Sequence, residues 1–104
     1  GFDWDDVNCA MDKVKEELNE IKEVYNCEDK SIIEGEVGDL LFACINVARF
    51  LEVDGELALD KTIKKFINRF SYIENEAIKN NKNLKDMTLE EMDKLWEEAK
   101  TSEK

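Results

Sequence analysis

Residues 30–52 read KSIIEGEVGDLLFACINVARFLE, and this stretch predicts a long helix that must be covered on most of its faces. From Leu40 to Leu51 nearly every position is apolar, and no proline interrupts the run. A helix that is apolar on most faces has to pack against other helices on most faces. A chain this short supplies little cover, so we expect an all-α fold in which this helix also meets a partner subunit.

Three further segments, residues 5–25, 54–80 and 89–100, carry apolar side chains three and four residues apart, as amphipathic helices do. Asp54 is a predicted N-cap of the second of these segments. Thr88 and Glu91 have the spacing of a capping box before the last. No segment alternates with period two, which disfavours strands. The sequence therefore predicts a bundle of four to five helices that dimerises through its helices.

The acidic composition restricts the partners. The 104 residues fit one domain, 39% of them are charged, and the formal net charge is -11. Such a chain should repel DNA, RNA and anionic lipid unless a cation mediates. An acidic protein that handles phosphates therefore needs metal ions. No apolar run is long enough to predict a membrane span.

The chain contains no histidine, and its three cysteines are widely spaced. The lack of histidine excludes His-ligated zinc and Ser–His or Cys–His nucleophilic catalysis, so a general base has to be a carboxylate, a lysine or metal-bound water. Three cysteines do not form a disulfide framework, and reduced thiols indicate the cytoplasm. Because the sequence starts at Gly1, we expect residues 1–104 to be a single domain of a longer chain.

Two acidic pairs are the candidate functional residues. Glu17 and Glu20 stand three residues apart in the first segment, and Glu36 and Asp39 stand three apart in the second. Each pair lies on one helix face beside an apolar stripe, so packing of the two stripes would bring the four carboxylates together. Converging carboxylates repel one another and suit Mg²⁺, which prefers oxygen ligands. The alternative is that each pair is an ordinary solvated helix face.

Gly38 lies between the acids of the second pair, inside a predicted helix. Glycine costs about 1 kcal/mol against alanine in a helix interior. Close approach of another helix or access of a ligand could explain it, and a merely tolerated glycine is the other interpretation.

The acidic pairs belong to a wider pattern that resembles a known family. EELNE at residues 16–20, followed by EVGDLLF at 36–42, looks like the EExxE…ExxD signature of MazG-type nucleoside triphosphate pyrophosphohydrolases. The resemblance spans nearly the whole chain in order, through GFDW at 1–4, NVAR at 46–49, KF at 65–66, RF at 69–70, LEEM at 89–92 and Trp96. It is greatest to the C-terminal domain of a two-domain MazG protein.

The resemblance implies an all-α homodimer that hydrolyses a nucleoside triphosphate to the monophosphate and pyrophosphate. It implies Mg²⁺ as cofactor, with Mn²⁺ as an alternative. The metal ligands would be Glu17, Glu20, Glu36 and Asp39, and either Glu17 or Glu20 would orient or deprotonate the attacking water. Lys65 and Arg69 would contact the phosphates, and Trp96 the base.

Each of these substrate contacts has a structural alternative. Lys65 and Arg69 could be a solvated basic face or could pair with glutamates, and Trp96 on an apolar helix face is packed by default. Gly35 and Ile32 stand where some relatives carry a further acid and a lysine, which puts the phosphate contacts in question. A rival function is that of a non-catalytic dimerisation or regulatory module. A pure interface, however, has no reason to crowd four acids.

Overall fold

The computed structural model describes residues 1–103 and contains four α-helices and one short 3₁₀ turn in that range. The helices are α1, Val7–Val24; α2, Lys30–Phe50; α3, Gly55–Lys79; and α4, Leu89–Ser102, with the 3₁₀ turn at Leu84–Asp86 before α4. Residues 1–103 contain no strand. The predicted all-α class and the four helical segments are therefore confirmed, with helix ends that differ by a few residues.

Side-chain caps fix where the helices begin. The carboxylate of Asp6 accepts from the Cys9 N–H at 3.1 Å at the start of α1, and that of Asp54 accepts from the Leu57 N–H at 3.1 Å at the start of α3. The Thr88 hydroxyl accepts from the Glu91 N–H at 3.1 Å at the start of α4. Each cap satisfies a backbone donor that the first helical turn leaves without a partner.

The chain forms two compact units, Gly1–Ala58 and the residues from Leu59 onward. In the first unit α1 packs against α2, and the small side chains Ala10 and Ala43 are its buried apolar residues. In the second unit Ile73, Ala77 and Ala99 are buried. Within residues 1–103 no large side chain is completely buried, and much of the apolar surface of α2 and α3 stays exposed.

Gly38 meets open space. An added Cβ at this position would have no atom outside its own helix turn within 4 Å. Close approach of another helix therefore does not explain this glycine among residues 1–103. Access of a ligand and simple tolerance remain as the two interpretations.

Candidate metal centre

Three of the four predicted acids come together between α1 and α2. Glu17, Glu36 and Asp39 each present one carboxylate oxygen, and these three oxygens lie within 4.8 Å of one another. The i,i+3 spacing places Glu36 and Asp39 on one face of α2, and packing of α1 against α2 brings Glu17 to that face. Glu17 is only 8% exposed. Glu17 is therefore not part of a solvated helix face, whereas Asp39 is exposed and Glu36 is half-buried.

Glu20 lies beside this group but does not share its oxygen cluster. Its charge is nevertheless close enough to Glu36 to raise the pKa of that carboxyl group. Glu20 is half-buried and lies one helical turn beyond Glu17 on α1. The four predicted ligands thus form a group of three carboxylates with a fourth next to it.

The environment of Glu36 resists its ionisation. Desolvation is the main cause that raises the pKa of Glu36 above its ordinary value, and repulsion by Glu20, Asp39, Glu17 and Glu23 adds to it. A cation among these oxygens would remove that repulsion. Carboxylate oxygens are hard ligands suited to Mg²⁺ or Mn²⁺. The donor set therefore fits a divalent cation of that class.

Lys13 is a neighbour that the sequence interpretation missed. Its ammonium nitrogen lies 3.0 Å from Glu17 Oε1 and 3.3 Å from Glu16 Oε1. The hydrogen bond to Glu17, and then that to Glu16, raises the pKa of Lys13. The i,i+4 spacing from Lys13 to Glu17 is readable in the sequence and could have indicated this contact. Lys13 supplies a positive charge to the most buried acid of the cluster.

An open cavity of about 550 Å³ borders the cluster. Its polar side is formed by Lys13, Glu16, Glu17 and Asp39. Its apolar side is formed mainly by Phe2, Trp4 and Phe42. Glu17 and Asp39 therefore border a space that a ligand can enter.

The predicted phosphate and base contacts lie in the second compact unit. Arg69 forms a two-pronged ion pair with Glu103, at 2.8 Å from Nε and 3.0 Å from Nη2. Its guanidinium carbon also lies 5.2 Å from the ring centre of Trp96. Trp96 in turn packs against Phe66, with ring centres 5.5 Å apart. Arg69 and Trp96 thus make the structural contacts that were the alternative to substrate binding, whereas Lys65 is exposed.

The sequence profile of the MazG nucleotide pyrophosphohydrolase domain matches residues 7–73, which include all four acids. The nucleoside triphosphate pyrophosphohydrolase/pyrophosphatase MazG of Thermotoga maritima is 43% identical over 100 residues, covering 96% of this chain and 38% of that protein. The nucleoside triphosphate pyrophosphohydrolase of Escherichia coli K12 is 36% identical over 107 residues, covering 99% of this chain and 40% of that protein.

The uncharacterized protein YabN of Bacillus subtilis is 53% identical over 72 residues, which are 69% of this chain and 15% of YabN. The chain thus spans about two fifths of the length of the two pyrophosphohydrolases that it matches. The profile covers more than half of the chain, and its matched range includes α1, α2 and their acids. The chain belongs to the MazG nucleotide pyrophosphohydrolase domain family.

Proposed function

We propose that this domain hydrolyses nucleoside triphosphates to nucleoside monophosphates and pyrophosphate with the help of a divalent cation. The observation that carries the proposal is the cluster of Glu17, Glu36 and Asp39, whose carboxylate oxygens lie within 4.8 Å of one another. The names of the T. maritima and E. coli relatives support the reaction class. Mg²⁺ is the proposed cation, with Mn²⁺ as the alternative, because both prefer carboxylate oxygens.

Glu17, Glu36 and Asp39 would hold the cation, with Glu20 as the fourth acid. A divalent cation held by these residues would neutralise charge on the phosphate oxygens. The water oxygen bonds to the α-phosphorus, and the bond from that phosphorus to the oxygen bridging to the β-phosphate breaks. The water proton goes to a carboxylate, and pyrophosphate leaves.

Two glutamates are candidates for the group that orients or deprotonates the water. Glu17 is almost fully buried, and its Oε1 forms an ion pair with Lys13. Glu20 lies outside the group of three converging oxygens, so its carboxylate is not committed to that cluster. We therefore favour Glu20 as the general base and Glu17 as a metal ligand.

Lys65, Arg69 and Trp96 remain proposed substrate contacts. A planar guanidinium binds phosphate and carboxylate with the same two-pronged geometry. Glu103 therefore forms the two-pronged contact with Arg69 that a phosphate would form, and a triphosphate has to displace Glu103 to bind Arg69. Lys65 would add a point charge.

Pyrophosphate release from a panel of canonical NTPs and dNTPs tests the function. We expect turnover with Mg²⁺, none with chelator, and a loss of at least about a hundredfold in Asp39→Asn. Glu34→Gln is a matched control, because Glu34 is an exposed acid of α2 outside the cluster. Failure to turn over any nucleotide would overturn the proposal, and release of orthophosphate would reject attack at the α-phosphorus.

We also propose that the domain works as a homodimer. Leu41, Phe42 and Ile45 on α2 are each at least 50% exposed within one chain. Large apolar residues clustered on an exposed helix face mark a surface suited to a partner. The same face would serve the rival function, a non-catalytic dimerisation module, but that function does not require the acidic cluster. Analytical ultracentrifugation tests the dimer, and a monomer at micromolar concentration would contradict it.

We further propose that the protein is cytoplasmic. Cys9, Cys27 and Cys44 are free thiols, which supports a reducing compartment such as the cytoplasm. Within residues 1–103 no helix combines the length and apolar character needed to cross a membrane. The net charge of -11 supports a mononucleotide rather than a DNA or RNA polymer as the ligand. We also propose that residues 1–104 act as one catalytic domain of a longer protein.

A further inference from the structure

The segment of residues 1–5, which precedes α1, forms one wall of the cavity that borders the acids. Phe2 and Trp4 line this cavity, and Glu17 and Asp39 line it as well. Segment 1–5 contains no helix or strand, so no backbone ladder holds it to the rest of the chain. Phe2 is fully exposed and Trp4 is only half-buried, so apolar packing holds the segment weakly. Another contact has to fix its position.

Arg49 of α2 makes that contact. Its Nη2 donates to Asp3 Oδ1 at 2.7 Å, and the same oxygen accepts from the Trp4 N–H at 2.8 Å. One carboxylate oxygen therefore joins α2 to the backbone of Trp4. Within residues 1–103 the Asp3–Arg49 pair is the only ion pair or hydrogen bond between segment 1–5 and the helices. The hydrogen bond from Arg49, and then that from the Trp4 N–H, lowers the pKa of Asp3, which keeps this carboxylate charged at neutral pH.

Arg49 is itself held in place by its own helix. Its Nε donates to Asn46 Oδ1 at 3.4 Å, and its guanidinium carbon lies 4.8 Å from the ring centre of Phe50. A planar guanidinium can donate in several directions and stack on an aromatic ring at the same time. The group that donates to Asp3 is therefore oriented before segment 1–5 docks, so little side-chain freedom is lost when the ion pair forms.

A wall at this place acts on the charges of the acids. Cavity walls of low polarity focus the field of clustered charges of one sign and raise their attraction for a counter-ion. Phe2 and Trp4 occupy a side of the cavity that water would otherwise fill. Movement of segment 1–5 away from α2 would admit that water and weaken the attraction of Glu17 and Asp39 for a cation.

We infer that Arg49 is a positioning residue that holds segment 1–5, through Asp3, as one wall of the cation cavity. This inference rests on the proposed function, because it assigns the wall to the cation site. Arg49 and Asp3 themselves contact neither cation nor substrate. Their side chains are 53% and 42% exposed, and an ion pair this exposed changes an equilibrium by up to about fivefold. The expected effect on the Kd of Mg²⁺ is therefore about two- to fivefold.

Isothermal titration calorimetry with Mg²⁺ alone tests the effect on the cation site. Arg49→Gln and Asp3→Asn should each raise Kd by about two- to fivefold, and Arg49→Lys, which keeps the charge, should raise it less. Because the two residues act as one unit, the double variant should bind no more weakly than the weaker single variant. Loss of a positive charge would by itself strengthen cation binding, so weaker binding in Arg49→Gln has to come from the wall. Lys64→Gln is the matched control, because it removes the same charge from an exposed ion pair with Asp60 on α3 and should not raise Kd.

Acrylamide quenching of tryptophan fluorescence reports on the wall without metal or nucleotide. In a Trp96→Phe background Trp4 is the only tryptophan. Arg49→Gln and Asp3→Asn should increase the quenching of Trp4, because segment 1–5 then opens locally. The midpoint of urea unfolding should stay the same, because the ion pair lies outside the buried core.

The outcomes separate this inference from the proposed function. Unchanged quenching of Trp4, an unchanged or lower Kd in Arg49→Gln, or additive effects in the double variant overturns the positioning role and leaves the proposed function standing. Failure of the wild type to bind Mg²⁺ overturns the cation site and the positioning role with it. Binding of Mg²⁺ without turnover of any nucleotide overturns the proposed function alone.

Discussion

Replacement of Glu36 by glutamine should have opposite effects on the metal-free and the metal-bound protein. The pKa of Glu36 is raised by desolvation and by neighbouring carboxylates, so its charged form is disfavoured in the folded state. A carboxyl group whose folded pKa exceeds its unfolded value stabilises the fold at low pH. That contribution is lost as pH rises from about 4.5 through the folded pKa. Glu36→Gln removes this loss, so at pH 7 the metal-free variant should be more stable than the wild type.

Cation binding should reverse that order. A ligand that binds only the folded state stabilises it by about 2.7 kcal/mol when its concentration is a hundred times Kd. A 104-residue chain has an unfolding entropy of about 0.22 kcal/mol/K, so this stabilisation corresponds to a rise in Tm of roughly 12 °C. Glu36→Gln replaces one of the three clustered carboxylates with a neutral amide and should lose most of that rise. Saturating Mg²⁺ should also abolish the part of the pH dependence of stability that Glu36 contributes.

Thermal unfolding followed by circular dichroism, with and without Mg²⁺ and at constant protein concentration, measures both effects. Glu34→Gln, which removes the same charge from α2 outside the cluster, should retain the full rise. An equal Mg²⁺ response in Glu36→Gln and wild type would show that the cation binds elsewhere. A metal-free Glu36→Gln protein less stable than wild type at pH 7 would refute the account of repulsion at the cluster.

Three further changes test the packing and the substrate contacts. Ile73 is only 3% exposed, so Ile73→Ala should reduce the free energy of unfolding, measured in urea, by about 2–5 kcal/mol. Ile78 is 72% exposed, and Ile78→Ala should reduce it by less than about 0.5 kcal/mol. Gly38→Ala should stabilise the protein by about 1 kcal/mol in the same assay, because the added Cβ meets open space. A destabilised variant would reveal that Gly38 contacts something outside the single chain. Glu103→Gln should weaken the hold on Arg69 and lower KM for the triphosphate by up to about fivefold, and a higher KM would mean that the ion pair instead positions Arg69 for its substrate.

Much of the helical architecture could be predicted because its causes are local. The apolar spacing of each segment reports a period of 3.6 residues, and Asp54 and Thr88 cap the helices that follow them. The i,i+3 spacing of Glu36 and Asp39 is likewise enough to place both on one face of a helix. These relations involve residues within one or two turns of each other, so the order of the residues is enough to establish them.

The candidate site could be predicted only in part because it joins different helices. The sequence selected four acids, but the rotation of α1 against α2 determines that Glu17 shares the oxygen cluster and Glu20 lies beside it. Arg69, which is predicted to contact the phosphates, forms an ion pair with Glu103, a residue 34 positions away. The periodicity of the sequence cannot predict such an ion pair, because the pair depends on side-chain rotamers and on which residues a helix crossing brings together.

The sequence by itself determined the all-α class, the positions of the four helices, the family and the two acidic pairs. These follow from short-range spacing and from a pattern of residue types along the chain. The tertiary structure alone decided which carboxylates converge, and it formed the Asp3–Arg49 ion pair between residues 46 positions apart. The physical reason is that a helix fixes the geometry of residues three or four apart, whereas contacts between distant residues depend on how whole helices pack.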